Sequence, residues 1–422
     1  MNHPQEKKSS DLFLRNDAGS DKTQAGDAAG EAEVQGKTLS FARIETLERF
    51  IFARNCPPFS LIALEIKDQD GESEALAARL EKFGAGEDIL VIRERKNRFL
   101  ILLKEKDRVA ADGFIRSFMQ KHEPLSFFAG IFSHPLEGFS SGSSLWNAQK
   151  ALKHSKLTGE NTVIPFDAVS LNISGDDAWQ EGNLAEAIRE YESALKLDPK
   201  NTNVLNSLGV CFAAKNELDR ALELFRKSAE TDPGEAMPIY NEGLVHEIRG
   251  EKEKALEAFE KAMALNPEAF EFFFHAGKIH MDSGDLEKAL PLLEKASVLK
   301  PENGSVLAFL AECFLLVEDF EKSFQFFRKA QQRLPRNPQV LSGLGFSFFK
   351  KSEDLDIAAT FCEEALALEP ENALFGLRLA RIWKKQGKEE ASFPLLLRAK
   401  NAGLELSEDE KIFLHSIEAS SA

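Results

Sequence analysis

Proline recurs at a fixed interval through the carboxy-terminal half of the chain. Five prolines follow one another every 34 residues, and a sixth comes 35 residues after the fifth. They are Pro199, Pro233, Pro267, Pro301, Pro335 and Pro370. Because proline cannot continue a helix, each one marks the end of a unit that is long enough for two short helices. The period therefore predicts a stack of repeated helix pairs.

Residue size follows the same period when Ala168 is counted as position 1 of the first unit. Position 8 holds small residues, namely Gly175, Gly209, Gly243, Gly277, Ala311, Gly345 and Ala380. Position 24 holds large apolar residues, namely Tyr191, Phe225, Phe259, Leu293 and Phe327. Two helices approach closely only where the side chains between them are small. We therefore predict that the two helices of each unit meet at position 8.

The 34-residue period, with these small and large positions, resembles the tetratricopeptide repeat (TPR) family. The resemblance implies an all-α solenoid of about seven repeats over residues 168–403, the last of which lacks the closing proline. It also implies a carboxy-terminal capping helix and tail over residues 404–422, with the polar side of the helix facing water. The function that it implies is a scaffold or adaptor that binds another protein.

In TPR proteins the first helix of each repeat lines a concave surface, and ligands usually contact positions 2, 5, 9, 12 and 13. The resemblance therefore implies a mainly apolar partner groove. The expected groove residues are Val210, Tyr240, Leu244, Ile248, Phe274, Lys278, Met281, Leu315, Phe346 and Phe349. Such a groove favours an amphipathic or extended protein segment as ligand. About half of these side chains are equally expected to fill the spaces between helices.

The amino-terminal part of the chain has a different pattern. Residues 1–40 contain few large apolar side chains, which predicts a disordered tail. Apolar runs predict strands near residues 59–66, 89–92, 98–103, 125–132 and 162–166. Amphipathic segments predict helices near residues 43–53, 72–82, 108–120 and 145–155. Residues 41–167 are therefore expected to form an α/β domain with a mixed sheet.

The order of these elements resembles the GGDEF family, whose active members are diguanylate cyclases that join two GTP molecules into cyclic di-GMP. The segments that carry the resemblance are Phe59–Ile66, Asp88–Arg93, Phe99–Leu103, Ala129–Ile131 and Ala148–Val163. The resemblance implies a nucleotide-cyclase-like fold for this domain.

The residues that this family uses for catalysis are missing. Where the family has Gly-Gly-Asp/Glu-Glu-Phe, Arg95–Phe99 reads Arg-Lys-Asn-Arg-Phe. The paired aspartates of the family correspond to Glu65 and Lys67. Magnesium needs hard oxygen ligands, which arginine and lysine do not supply. We therefore expect a degenerate domain without enzyme activity.

The basic turn of this domain leaves two interpretations open. Arg95, Lys96 and Arg98 could hold a phosphate or a nucleotide. The alternative function is then a nucleotide sensor, in which GTP or cyclic di-GMP changes what the repeats bind. Equally, a charged turn needs no ligand, and the domain then serves the scaffold as a second docking surface or a dimer contact.

Charge, apolar content and motifs argue against several kinds of partner and ligand. A net charge of −16 argues against a nucleic-acid partner, because phosphate binding needs a basic surface. We find no secretory signal and no apolar run of membrane-helix length, so we expect a cytoplasmic protein without a membrane partner. No motif indicates a cofactor.

Three histidines raise the question of a metal. His246 and His280 share position 11 of neighbouring units, and His275 is close to them in sequence. We expect their rings to pack between helices without a carboxylate or cysteine arranged beside them, so no metal site is predicted. The four cysteines are widely spaced, which is typical of a reducing compartment.

Overall fold

The computed structural model describes residues 44–67, 76, 78–80, 82 and 88–420. The tail predicted over residues 1–40 and most of the helix predicted over residues 72–82 lie outside these ranges. The described residues belong to two compact units that divide between Thr231 and Asp232. The first unit contains an α/β domain and two helix pairs, and the second contains five helix pairs and a final helix.

Residues 44–165 alternate strands and helices, as predicted for an α/β domain. The strands are β1 (Phe59–Lys67), β2 (Ile89–Arg95), β3 (Arg98–Lys104), β4 (Ser126–His134) and β5 (Thr162–Pro165). The helices are α1 (Ile44–Ile51), α2 (Arg108–Gln120) and α3 (Ser144–Thr158). Between β1 and β2, Leu76 and Leu80 are helical and buried, which agrees with the described part of the helix predicted there.

The five strands form one mixed sheet in the order β2-β3-β1-β4-β5. Strand β1 runs antiparallel to both β3 and β4, and β5 runs parallel to β4. In the centre of the sheet, Ile62 pairs with Ile101 on one side and Ile131 on the other. Helices cover both faces, which explains why the central strands have nearly continuous apolar runs instead of alternating ones.

Helix α3 packs very closely on the sheet at Gly130 of β4. A Cβ atom at this position would overlap the backbone of Ala148, Ala151 and Leu152 in α3. On the other face of the sheet, Ile115 and Phe118 of α2 contribute to the second apolar core. Glycine at position 130 therefore sets how near α3 can lie to β4.

From residue 168 to residue 401 the described chain forms seven helix pairs. The first helices of the pairs are α4 (Ala168–Gln180), α6 (Thr202–Ala214), α8 (Ala236–Ile248), α10 (Phe270–Asp282), α12 (Gly304–Leu316), α14 (Pro338–Lys350) and α16 (Ala373–Lys385). The second helices are α5 (Leu184–Leu197), α7 (Leu218–Thr231), α9 (Lys252–Leu265), α11 (Leu286–Leu299), α13 (Phe320–Arg333), α15 (Leu355–Leu368) and α17 (Glu389–Asn401). The predicted all-α array of helix pairs is therefore present.

Short polar side chains fix where many of these helices begin. Asn201, Asn303 and Asn337 each accept a hydrogen bond from a backbone N–H in the first turn of a first helix. Asp285 and Asp319 do the same for the second helices α11 and α13. Such caps satisfy backbone donors that have no partner within the helix, so they stop the helices from fraying into the turns.

The two helices of a pair meet at the small residue of position 8, as predicted, and this residue lies against the large residue at position 24 in the first three pairs. In the second pair, a Cβ atom added to Gly209 would lie 2.5 Å from Phe225 Cε1. Gly175 lies in the same way against Tyr191, and Gly243 against Phe259. These position-24 rings are fully buried, so the glycines allow an aromatic side chain to fill each pair.

The α/β domain is joined to the first helix pair through α3. Lys150 Nζ lies 2.6 Å from Glu190 Oε1 of α5, and Lys153 pairs with Asp177 of α4. The predicted boundary at residues 167/168 falls between β5 and α4, where Asp167 caps α4 by accepting a hydrogen bond from Ser170 N. Helix α3 therefore contacts both the sheet and the helix pair that comes after it.

The last helix, α18 (Glu408–Ser420), follows the seventh pair. Its Leu414 is buried, and Glu410 lies 2.8 Å from Arg381 of α16. The outer side of α18 is not wholly polar as expected, since Ile412 is exposed. Within the described residues, no helix combines the length and the apolarity that crossing a bilayer requires.

Candidate partner-binding surface

In the unit that begins at Asp232, side chains connect the first helix of one pair to the first helix of the next. Lys278 of α10 lies 2.9 Å from Glu247 of α8. The rings of Phe274 in α10 and Phe309 in α12 have centroids 5.2 Å apart. We call the surface formed by α8, α10, α12 and α14 the first-helix face. It contains nine of the ten predicted groove residues, because Val210 belongs to the other unit.

Burial divides the predicted groove residues into two sets. The buried residues are Val210, Tyr240, Leu244, Leu315 and Phe346. These side chains fill space between helices, which is the packing role that the sequence left open for about half of the set. The residues with accessible surface are Ile248, Phe274, Lys278, Met281 and Phe349. Only the second set offers surface to a partner.

Glu247 is the most strongly perturbed carboxylate of the first-helix face. His275 Nδ1 lies 2.8 Å from Glu247 Oε2, and Lys278 Nζ lies 2.9 Å from Oε1. Burial raises the pKa of Glu247, but the interactions with His275 and Lys278 outweigh it and hold the pKa at about 2. Lys278, which was predicted as a groove residue, is therefore engaged in an ion pair within the protein.

A buried ion pair bridges the first helices of three pairs further along the chain. Arg378 of α16 is 5% exposed and pairs with Glu312 of α12. The guanidinium also lies 3.4 Å from Ser342 Oγ of α14 and 5.3 Å from the ring centroid of Phe346. The bridge covers part of the first-helix face, which helps to explain why Phe346 is buried. Nothing in the periodic pattern indicated this pair.

Comparison with known proteins identifies the helix pairs that lie within residues 174–338. The family model described as "Tetratricopeptide repeat" matches residues 174–236, 240–303 and 274–338. These residues are tetratricopeptide repeats. The matches begin at residue 174, so they leave the α/β domain untested, and its GGDEF-like identity stays a prediction. TPR repeats 3, 4 and 5 begin at Ala236, Phe270 and Gly304, and we number the next helix pair, which begins at Pro338, as repeat 6.

Solved structures resemble the chain to different extents. PilF of Pseudomonas aeruginosa is 24% identical, with 49% of this chain and 94% of that chain covered and a TM-score of 0.46. YrrB, a TPR protein with an unusual peptide-binding site, is 20% identical over 44% of this chain and 95% of its own, with a TM-score of 0.39. A TPR protein from Parabacteroides merdae is 18% identical, with 59% of this chain and 97% of that chain covered and a TM-score of 0.42.

The three histidines of TPR repeats 3 and 4 differ from the prediction, because each has a carboxylate beside it. His246 Nδ1 lies 2.6 Å from Glu251 Oε2, and His280 Nδ1 lies 3.5 Å from Asp285. Each ring therefore has its own acidic neighbour, which sequence spacing alone did not reveal. Among the described residues, no group of three or more metal-ligating side chains is positioned to hold an ion.

A second perturbed carboxyl lies in the first TPR repeat and was not predicted. Tyr191 donates a hydrogen bond of 2.7 Å to Asp176 Oδ1, and Asn172 Nδ2 donates one of 3.2 Å to Oδ2. Burial and the neighbouring charge of Asp177 raise the pKa of Asp176 to about 7. The sequence signal that could have indicated this contact is an acidic residue at position 9, Asp176, in a repeat whose position 24 is a tyrosine, Tyr191.

The basic turn of the α/β domain is partly neutralised. Arg98 Nη2 lies 2.6 Å from Glu65 Oε2, and Lys156 Nζ lies 2.5 Å from Glu65 Oε1. Burial raises the pKa of Glu65, but the hydrogen bonds from Lys156 and Arg98 outweigh this effect, so the pKa is lowered. Arg95 and Lys96 are exposed at the turn. Of the three predicted phosphate contacts, Arg98 is therefore already paired with a carboxylate of the protein.

Proposed function

We propose that the chain is a protein-binding scaffold whose first-helix face, in TPR repeats 3 to 5, binds an apolar segment of a partner protein. The observation that carries the proposal is the exposure of apolar side chains along this face. Ile248 is 42% exposed and Leu316 is 49% exposed, while Phe274 and Met281 are partly exposed on the helix between them. Apolar groups arranged along a surface are typical of protein interaction sites.

The surface around these side chains is held in place before a partner arrives. Tyr240 and Leu244 are buried beneath it, and the ion pair between Glu247 and Lys278 joins α8 to α10. A ligand would therefore find a preformed surface and would lose little free energy to reordering the protein. Each apolar group that it covers contributes about 25 cal/mol per Å² of buried surface.

The proposal is tested by selecting peptides from a displayed random library on the full-length protein. Peptides that bind the first-helix face should lose binding to the double variant Ile248→Arg, Leu316→Arg. A matched double variant, Val298→Arg, Leu368→Arg, changes exposed apolar residues on the second helices α11 and α15 and should retain binding. Selected peptides that bind both variants equally would contradict the proposal.

We also propose that the α/β domain is a degenerate GGDEF-like domain that performs no catalysis and offers the scaffold a second docking surface. The support is the environment of Glu65, which corresponds to one of the family's metal-binding aspartates. Its carboxylate lies between Arg98 and Lys156, and two cations compete with any magnesium ion for the same oxygens. Incubation of the full-length protein with GTP and magnesium should yield no cyclic di-GMP, and product formation would contradict the proposal.

Nucleotide sensing is a second candidate function for this domain. The observation that favours it is the exposure of Arg95 and Lys96 at the turn between β2 and β3, where a phosphate could reach both side chains. Calorimetry with GTP and with cyclic di-GMP distinguishes the two candidates. Heat that disappears in an Arg95→Ala, Lys96→Ala variant would favour the sensor, whereas the scaffold account predicts no heat with either nucleotide.

A further inference from the structure

One residue position of the TPR repeats forms a row along the first-helix face. Position 13 of repeats 3, 4 and 5 is held by Ile248, Asp282 and Leu316, which are 34 residues apart. All three side chains are exposed. Because consecutive first helices contact one another, equivalent positions lie beside each other on this face. The position-13 row therefore has a carboxylate between two exposed apolar side chains.

The carboxylate of this row lacks a direct partner. Within the part of the chain that the structure describes, no side chain donates a hydrogen bond to Asp282 or forms an ion pair with it. Two lysines act on it only through their charge, because each has another contact. Lys278 pairs with Glu247, and Lys252 donates a hydrogen bond of 3.1 Å to Ser283 Oγ.

Two other charged residues of the first-helix face have partners within the protein. Glu312, at position 9 of repeat 5, pairs with the buried Arg378. Lys350, at position 13 of repeat 6, lies over the rings of Phe320 and Phe346, with 5.4 and 5.6 Å from Nζ to the two ring centroids. Among the acidic residues described in these four helices, Asp282 is exposed, whereas Glu242, Glu247, Glu271 and Glu312 are partly buried. Asp282 is therefore the charge on this face that a cation from outside would complement best.

The spacing of the row fits an extended polypeptide. Packed helices lie about 8–10 Å apart, and an extended chain in the polyproline II conformation rises about 3.1 Å per residue with three residues per turn. Side chains three residues apart in such a ligand therefore lie on the same side and can contact neighbouring positions of the row.

We propose that the position-13 row binds an extended partner segment in which a lysine or arginine pairs with Asp282 and lies three residues from apolar side chains that contact Ile248 and Leu316. The inference rests on the proposed function, because it specifies the chemistry of the segment that the same face binds. The basic side chain supplies the donors that Asp282 lacks, and the apolar contacts on either side exclude water and strengthen the ion pair.

The same displayed library tests this chemistry, with peptides of about twelve residues so that the row can be spanned. We expect peptides selected on the full-length protein to share a lysine or arginine three residues from a large apolar residue. Selection on Asp282→Lys should replace the basic residue with aspartate or glutamate, and a selected basic peptide should bind this variant at least about tenfold more weakly. Glu260→Lys, at an exposed acid on the second helix α9, is the matched control and should leave the selected sequences unchanged.

The outcomes separate this inference from the proposed function. Two outcomes would overturn the inference and leave the scaffold function standing, both with peptides that lose binding to Ile248→Arg, Leu316→Arg. In the first, these peptides share no basic residue. In the second, peptides selected on Asp282→Lys still contain the basic residue. Failure to select any peptide sensitive to the double variant would contradict both. A dimer in light scattering that dissociates in the double variant would assign the row to a second copy of this chain and would also overturn the inference.

Discussion

Gly209 and Phe225 are in direct contact across the two helices of one TPR repeat, and the ring occupies the space that a side chain at residue 209 would need. A Cβ atom there would lie 2.5 Å from Phe225 Cε1. The ring is fully buried, so it has little room to move aside. The same relationship holds for Gly175 with Tyr191 and for Gly243 with Phe259, so it is the contact by which the first three helix pairs close.

Gly209→Ala should therefore destabilise the protein by about 1–3 kcal/mol, because the added methyl group forces the helices or the ring apart. Gly113 provides a matched control in the same unit, since a Cβ atom on this helical residue of α2 would meet nothing within 4 Å. Gly113→Ala should be neutral or stabilising by up to about 1 kcal/mol, because alanine favours helix more than glycine does. Urea unfolding of both variants measures the difference, and equal midpoints would contradict the account.

The bridge between Glu312 and Arg378 should be sensitive to the loss of one partner. Glu312→Gln leaves the buried guanidinium without its counter-charge, and we expect a loss of about 3–5 kcal/mol in the free energy of unfolding. The double variant Glu312→Leu, Arg378→Met removes both charges and should recover most of this loss. A double-mutant cycle by urea unfolding tests the coupling, and additive effects would show that the two side chains do not act as a pair.

Glu247 should contribute stability that acid removes. Its pKa is about 2 in the folded protein and 4.5 as an ordinary glutamate, so the folded state favours the ionised form. The contribution is complete above about pH 4.5, where both states are ionised, and declines as the pH falls towards 2. Glu247→Gln should cost roughly 3 kcal/mol at neutral pH and progressively less in acid. A constant difference in unfolding free energy between pH 6 and pH 2.5 would contradict this assignment.

Asp176 should show the opposite dependence on pH. Its pKa of about 7, against an ordinary 3.8, means that the folded state favours the protonated carboxyl. That stability is complete below about pH 3.8 and is lost as the pH rises towards 7. Asp176→Asn keeps an acceptor for the hydroxyl of Tyr191 and stays neutral, so it should be more stable than the natural protein at pH 8, by roughly 2–4 kcal/mol. The advantage should shrink near pH 4, and an advantage that does not change with pH would count against the raised pKa.

The sequence predicted the features that depend on residues close together in the chain. The prolines and the small residues at position 8 recur about every 34 residues. Because each repeat needs a small residue at the same place between its helices, the pattern was enough to locate the helix pairs. The strands of the α/β domain were found through their apolar runs, because the sheet is covered on both faces.

The parts that were missed depend on how the elements pack together. Arg378 and Glu312 are 66 residues apart and meet only because three first helices lie side by side. Glu65 and Arg98 meet because β1 and β3 pair in the register that places them opposite each other. The burial of Tyr240 and Phe346 likewise depends on the rotation of each helix against its neighbours, which a periodic pattern does not specify.

The central claim is that the first-helix face of TPR repeats 3 to 5 binds a partner segment, and hydrogen exchange tests it most directly. The amide exchange of the full-length protein is measured with and without a peptide selected on it. We predict slower exchange at the ends of α8, α10 and α12, around Ile248, Asp282 and Leu316, and no change around Val298 and Leu368. Protection confined to the second helices or to the turn between β2 and β3 would contradict the account.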